Sequence, residues 1–287
     1  MGMSRTVMSL YGLRWLFLVA LLGSASPLFA QGEESILYPS WGLALGSYFT
    51  ASDARLRVDV TDSRTGLTFG TDIDFEDDLG LKADDTLVKA RLTHFVGRRH
   101  ELGLSYYNLK RTGEKTISRE IDFGGVVYPV GAGVRAELSE ENLELAYTYW
   151  AVREDRFGLG ISGGVVGFRL DATLDATAQV GGARRDLHRE ASATLPIPMI
   201  GLQLRALLLP KLVLLGEGRY LPNVNIENYE GTSGTATAGL EWQIFPHFRL
   251  GGSYDYFFID AKVDDDRLRG KVKWSVQGGQ LYARFVW

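Results

Sequence analysis

Residues 236–262 read ATAGLEWQIFPHFRLGGSYDYFFIDAK. Ala236, Ala238, Leu240, Trp242 and Ile244 fall on one side of an extended chain, and Glu241 and Gln243 fall on the other. A period of two residues with one oily and one polar side is the mark of a strand with unlike faces. Between Phe245 and Phe248 only Pro246 and His247 remain, too few for anything but a tight turn. Beyond it a second strand begins, with Tyr256, Phe257 and Phe258 toward its far end. The segment is therefore a hairpin with aromatic residues near both ends.

The same pattern recurs along the chain. Trp41, Leu43, Leu45 and Phe49 share a face opposite Gly42, Ala44, Gly46 and Tyr48. Val88, Ala90 and Leu92 oppose Lys89, Arg91 and Thr93, and Leu143, Leu145, Tyr147 and Tyr149 oppose Glu144, Ala146 and Thr148. Tight turns at 97–100, 151–155, 209–212 and 245–248 alternate with long polar segments at 51–85, 113–135, 172–190, 225–232 and 263–269. A soluble sandwich also alternates its side chains. Strict alternation of short turns with long loops instead marks a bacterial outer-membrane barrel.

Punctuated this way, the chain holds ten strands, near 40–50, 86–97, 100–112, 134–150, 155–171, 191–208, 211–224, 233–245, 247–262 and 270–287. The expected fold class is all-β, a transmembrane antiparallel up-and-down barrel with long extracellular loops. A possible hairpin at 55–62 and 66–75 leaves counts of eight or twelve open. Trp41, Phe95, Trp150, Phe157, Phe245, Phe248, Phe285 and Trp287 crowd the turn ends, where an aromatic girdle belongs. The last strand places Leu281, Ala283, Phe285 and Trp287 on one face. Its ending on Phe285 and Trp287 resembles the C-terminal insertion signal of outer-membrane proteins, with Tyr282 where that signal usually has glycine.

At the other end, Arg5 and Arg14 flank a short apolar run from Trp15 to Leu22, followed by small residues up to Ala30. The run is far short of the about 20 residues of a spanning helix, and it reads as a secretory signal peptide over 1–30. The barrel domain is then 31–287. Removing 1–30, with its two Arg and no acid, takes the net charge from −4 to −6. A mildly acidic exported chain has no electrostatic footprint for nucleic acid. There is no cysteine, so stability has to come from hydrogen bonds and packing.

Residues 72–81, Asp-Ile-Asp-Phe-Glu-Asp-Asp-Leu-Gly-Leu, resemble a segment recurring in a family of uncharacterised proteobacterial outer-membrane β-barrel proteins. The resemblance continues loosely into 86–97 and the hairpin after it. It implies an outer-membrane barrel of unassigned role and transfers no catalytic residue.

Chemistry-bearing groupings are few. Asp72, Asp74, Glu76 and Asp78 supply hard oxygen ligands at a density that suits a divalent cation, although Asp77 stands where an EF-hand loop needs glycine. A solvated loop of like charges is the competing reading. Gly158, Gly160 and Gly163 spell a dinucleotide fingerprint, and Gly160, Ser162 and Gly164 a nucleophile elbow, but neither precedes a helix. None of His94, His100, His188 or His247 has a serine two places on, as outer-membrane lipid hydrolases would require. His188 with Asp186 and Glu190 is the one grouping with the acids an outer-membrane protease needs.

Strand parity turns Lys89, Arg91, Arg205, Arg219, Arg249 and Arg284 inward, together with Glu101, Glu144, Glu217, Glu241 and Asp255. In a ten-stranded barrel the lumen is scarcely wider than its side chains, so these charges are expected to pair across it and block it. The expectation is thus a non-enzymatic outer-membrane protein with a structural or ligand-binding role through its loops. No cofactor is expected. Its partners are membrane lipid, lipopolysaccharide and, through the last strand, the barrel-assembly machinery. A narrow porin-like channel ranks second and an outer-membrane hydrolase third.

Overall fold

A computed structural model describes residues 35–61, 68–180, 183–226, 229–264 and 269–287. The expected signal peptide, 1–30, lies outside them. Ten long strands carry the fold: β1 (Trp41–Val58), β2 (Asp84–Val96), β3 (His100–Thr116), β4 (Gly133–Arg153), β5 (Phe157–Val180), β6 (Ala183–Leu209), β7 (Leu212–Ile226), β8 (Tyr229–Phe245), β9 (Phe248–Asp264) and β10 (Arg269–Val286). Each pairs antiparallel with its chain neighbours, and β10 returns to pair with β1 from Gly42↔Val286 to Val58↔Gly270. Closure leaves none of the ten as a free edge, so the sheet satisfies its own backbone groups without water. No helix among the described residues is long and apolar enough to cross a membrane.

Four tight turns gather at one end, hereafter the turn end: 97–99, 154–156, 210–211 and 246–247. The opposite, loop end departs from expectation. The polar segments at 172–190, 225–232 and 263–269 are largely strand: β5 and β6 pair continuously to Val180↔Ala183, and β9 and β10 to Asp264↔Arg269. Only 59–83 and 117–132 remain long connections. Part of the hairpin expected within the first is present. Val60–Thr61 pairs with Thr68–Phe69, and Asp72–Asp74 adds to β1 beside Arg55–Arg57. In the second, Ile121–Phe123 and Val126–Tyr128 form a hairpin. Its turn is Gly124-Gly125 with φ of 60° and 81°, a left-handed pair that side chains other than glycine resist.

Along β1, β4, β5, β9 and β10 the two faces exchange character. In β4, near the turn end, Leu143, Leu145, Tyr147 and Tyr149 point outward while Asn142 and Thr148 are buried inside. Toward the loop end of the same strand, Arg135 points outward and Val134, Ala136 and Leu138 are buried inside. β10 behaves alike: Leu281 and Phe285 outside with Gln280 and Arg284 inside, then Lys271 and Lys273 outside with Val272, Trp274 and Val276 inside. The barrel has two storeys, one oily outside and ionic within, the other ionic outside and oily within.

The two long connections fill the oily interior of the outer storey. Ile73, Phe75 and Leu79 from the first, and Ile121, Phe123 and Tyr128 from the second, are buried against Leu138, Phe168, Leu174 and Trp274. At the opposite end Leu37 and Tyr38 enter the lumen and pack on Phe95, Trp150 and Val213. Phe95 and Trp150 therefore do not belong to the outward girdle in which their position along the chain had placed them. Their parity turns them inward, where Trp150 is fully buried.

Candidate functional site: a closed lumen and an outer rim

All eleven charged residues that parity turned inward pair inside the barrel in four hydrogen-bonded groups stacked along the lumen, beginning just above the Leu37–Tyr38 plug. Arg205 reaches Glu101 at 2.6 Å and donates to the Leu37 carbonyl at 2.9 Å, and its guanidinium carbon lies 4.6 Å from the Trp150 ring centre. Trp150 Nε1 donates to the second Glu101 oxygen at 2.9 Å. One layer on, Glu241 accepts from Arg284 at 3.0 Å, Arg249 at 3.3 Å and the Tyr282 hydroxyl at 3.0 Å. Beside it Glu217 accepts from Arg91 and Gln203, each at 2.9 Å, and from Arg219, which also meets Glu144 at 2.5 Å. Lys89 and Asp255 pair at 2.9 Å, with the ammonium 5.2 Å from the Tyr48 ring centre.

Parity alone did not single out the group that joins the two storeys. Tyr107 donates to Glu140 at 2.7 Å, while Arg111 meets Glu76 and lies 4.9 Å over the Trp274 ring. Glu76 belongs to the first long connection, so its pairing locks that segment to the barrel wall. Tyrosine and tryptophan at inward parity were the available signal, and Glu76 could be found only by knowing that its loop folds inward.

Small cavities lie in the ionic storey among the described residues. One of about 80 Å³ lies among Lys89, Arg91, Glu217, Glu241, Asp255 and Arg284, and one of about 30 Å³ lies among Tyr48, Ser105, Tyr107 and Asn142. At ~10–15 Å³ per water these hold several waters and a couple of waters respectively. Above lies the oily filling and below lies the Leu37–Tyr38 plug.

The four candidate metal ligands do not converge. Asp72 lies 3.6 Å from Arg57, Asp74 accepts from Arg55 at 3.1 Å, Glu76 is held by Arg111 and the Ala54 N–H, and Asp78 is gripped by Arg119. Among the described residues no group of three His, Cys, Asp or Glu side chains stands ready for a metal ion. Burial raises the Asp78 carboxyl's pKa, but Arg119 and the Asp74 N–H outweigh it and hold the group below the ordinary carboxylate range. Arg119 is raised in turn, chiefly by its hydrogen bond to Asp78. The acidic run is thus a clamp closing the first long connection onto the second.

The rim at the loop end carries a groove of about 400 Å³ lined by Glu114, Arg135, Asp175, Thr177, Asp186 and His188. His188 Nδ1 lies 2.6 Å from Asp175, across the β5–β6 ladder, and Nε2 lies 3.4 Å from Glu190, while Asp186 accepts from Thr177 at 3.0 Å. Sequence pairing of His188 with Asp186 and Glu190 missed Asp175, which register supplies. His94, His100 and His247 serve the turn end, bonding Ser40, Tyr147 and Val286. The glycine motifs around 158–164 lie within β5, where Ser162 meets Thr148 at 3.2 Å. Phe285 and Trp287 point outward, and Trp287 stacks on Trp41 at the seam with ring centres 6.1 Å apart.

The barrel resembles the outer-membrane protease OmpT from Escherichia coli, at a TM-score of 0.56 and 8% identity over 86% of this chain and 96% of that one. The fold is that of an outer-membrane β-barrel. The translocator domain of the autotransporter NalP from Neisseria meningitidis also aligns, at a TM-score of 0.45 and 15% identity over 85% of this chain and 88% of that one. No family model and no curated protein sequence matches the chain. At these identities the likeness carries the fold alone, and the chemistry has to come from the residues present.

Proposed function

We propose that this chain is an integral outer-membrane protein of a Gram-negative cell, exported by its signal peptide, whose barrel does not conduct and whose working surface is its outer rim. The lower storey supports the membrane placement. Eight residue steps from Trp41 to Phe49, at ~3.4 Å each and tilted by about 40°, give an oily band roughly 20 Å tall. That is near the ~25 Å such bands measure. The turn end then faces the periplasm, the charged upper storey stands outside the cell, and the Phe285–Trp287 strand is the handle for assembly.

The observation that carries the non-conducting reading is the lumen. It is crossed by paired charges, filled above with apolar side chains from two long connections and stopped below by Leu37 and Tyr38. A narrow solute channel would require all three to part. The rim groove beside His188 is then where a ligand outside the cell, or lipopolysaccharide sugar, meets the protein. Planar-bilayer recording tests this reading: the folded protein gives no steady conductance, and large stable channels would overturn it. The hydrolase alternative rests on the contact of His188 with Asp175. Peptidase or esterase activity that is lost in His188→Ala would favour it.

A further inference from the structure

The turn end carries a charge pattern that the closed lumen does not use. Arg98 and Arg99 occupy the β2–β3 turn behind Gly97, Arg153 ends β4, Arg156 follows in the next turn, and Lys211 lies in the turn after that. These turns are consecutive around the ring, so the five cations follow one another along an arc of the rim from β2 to β7. Glu154 and Asp155 are the acids among them. Among the described residues no carboxylate comes within 4.0 Å of any of the five.

Arg153 is held in place rather than neutralised. Its guanidinium carbon lies 4.4 Å over the Tyr38 ring and 5.7 Å from the Phe95 ring, and its Nε is buried without a hydrogen-bond partner. Arg98 and Arg99 stand near enough to repel it, and Arg99 is fixed by donating to the Ala151 carbonyl at 3.2 Å. Arg153 held over two aromatic rings with Arg98 and Arg99 beside it favours a bound anion, and planar guanidinium groups suit a phosphate best. The level of the rim identifies which phosphate. Tyr149, Val152, Phe157, Leu208 and Leu209 expose the last oily side chains just before these turns, so the cations lie where headgroups begin.

We infer that Arg98, Arg99, Arg153, Arg156 and Lys211 bind the phosphate headgroup of an anionic phospholipid in the leaflet facing the turn end. This rests on the membrane placement proposed above and adds a lipid preference to it. Basic side chains at a headgroup surface act additively, so removing two of five leaves a measurable remainder.

The test is native mass spectrometry of the folded full chain in detergent, titrated with phosphatidylglycerol or phosphatidylcholine, for the wild type and for Arg98→Gln/Arg99→Gln. These two exposed turn positions leave the strands intact. Flotation with vesicles reports membrane insertion separately. The expected result is that both proteins float, the wild type prefers phosphatidylglycerol by about tenfold, and the double variant's preference falls to about fourfold. Equal binding of the two lipids, or a double variant that binds like the wild type, overturns the inference. Displacement of the lipid by soluble peptidoglycan fragments reassigns the rim to the cell wall and also overturns it. Failure to float overturns the membrane placement first, and the inference with it.

Discussion

At the scale of single residues, burial decides which charges matter. Arg219 is almost wholly enclosed and serves Glu144 and Glu217 together, whereas Lys273 and Asp260 pair at 2.9 Å on the open outer face. Removing one partner of an enclosed pair leaves the other desolvated and unpaired, at a cost of about 3–5 kcal/mol. An open pair is worth less than about 1 kcal/mol. Arg219→Met is therefore expected to shift the urea midpoint in detergent strongly, and Lys273→Ala barely.

Acid acts on the clamp residue by residue as well. Because Asp78 is held below its ordinary value, its contribution is present above about pH 4 and lost as pH falls through the lowered value. Limited proteolysis within 72–82 should accelerate as pH drops from 7 toward 3. In Asp78→Asn cleavage should be faster at neutral pH, and the part of the acid response that comes from this clamp should be missing.

At the scale of the element, the first long connection behaves as a plug. Phe75 and Leu79 are fully buried and Glu76 is tied to Arg111. Phe75→Ala should cost about 3–5 kcal/mol and open the connection to protease while heat-modifiable gel migration persists, because no barrel pairing depends on that ring. The limits of sequence reading show at this scale. Lumen charges such as Glu217 and Arg284 were legible because they alternate with oily residues facing outward. Leu56, Val58, Val134 and Leu138 alternate just as strictly, but with Arg55, Arg57, Arg135 and Glu137, and a single oily side cannot reveal whether it faces lipid or a core. The upper halves of the strands therefore read as polar loops. Trp150 misled in the same way, since an aromatic residue at a strand end suits a girdle or an interior seal, and only strict parity separates the two.

At the scale of the whole molecule, ten strands and closure followed from the turn spacing, which depends on no partner elsewhere in the chain. The filling of the barrel depends on contacts across it, such as Phe123 and Phe168 within one core or Tyr38 against Trp150, and no periodicity encodes those. The result is a cylinder with its polarity exchanged halfway along, so that one half has the oily surface that suits a bilayer and the other has a charged surface over a core of its own.

The chain has no native cysteine, so single cysteines introduced at Leu45, Leu145, Asp53, Lys273 and Val276 can be probed one by one with a water-soluble maleimide in reconstituted vesicles. Rapid labelling at 53 and 273, with protection at 45 and 145 by lipid and at 276 by the interior, is the expected pattern. Ready labelling at 276 together with protection at 53 and 273 would contradict the two-storey barrel.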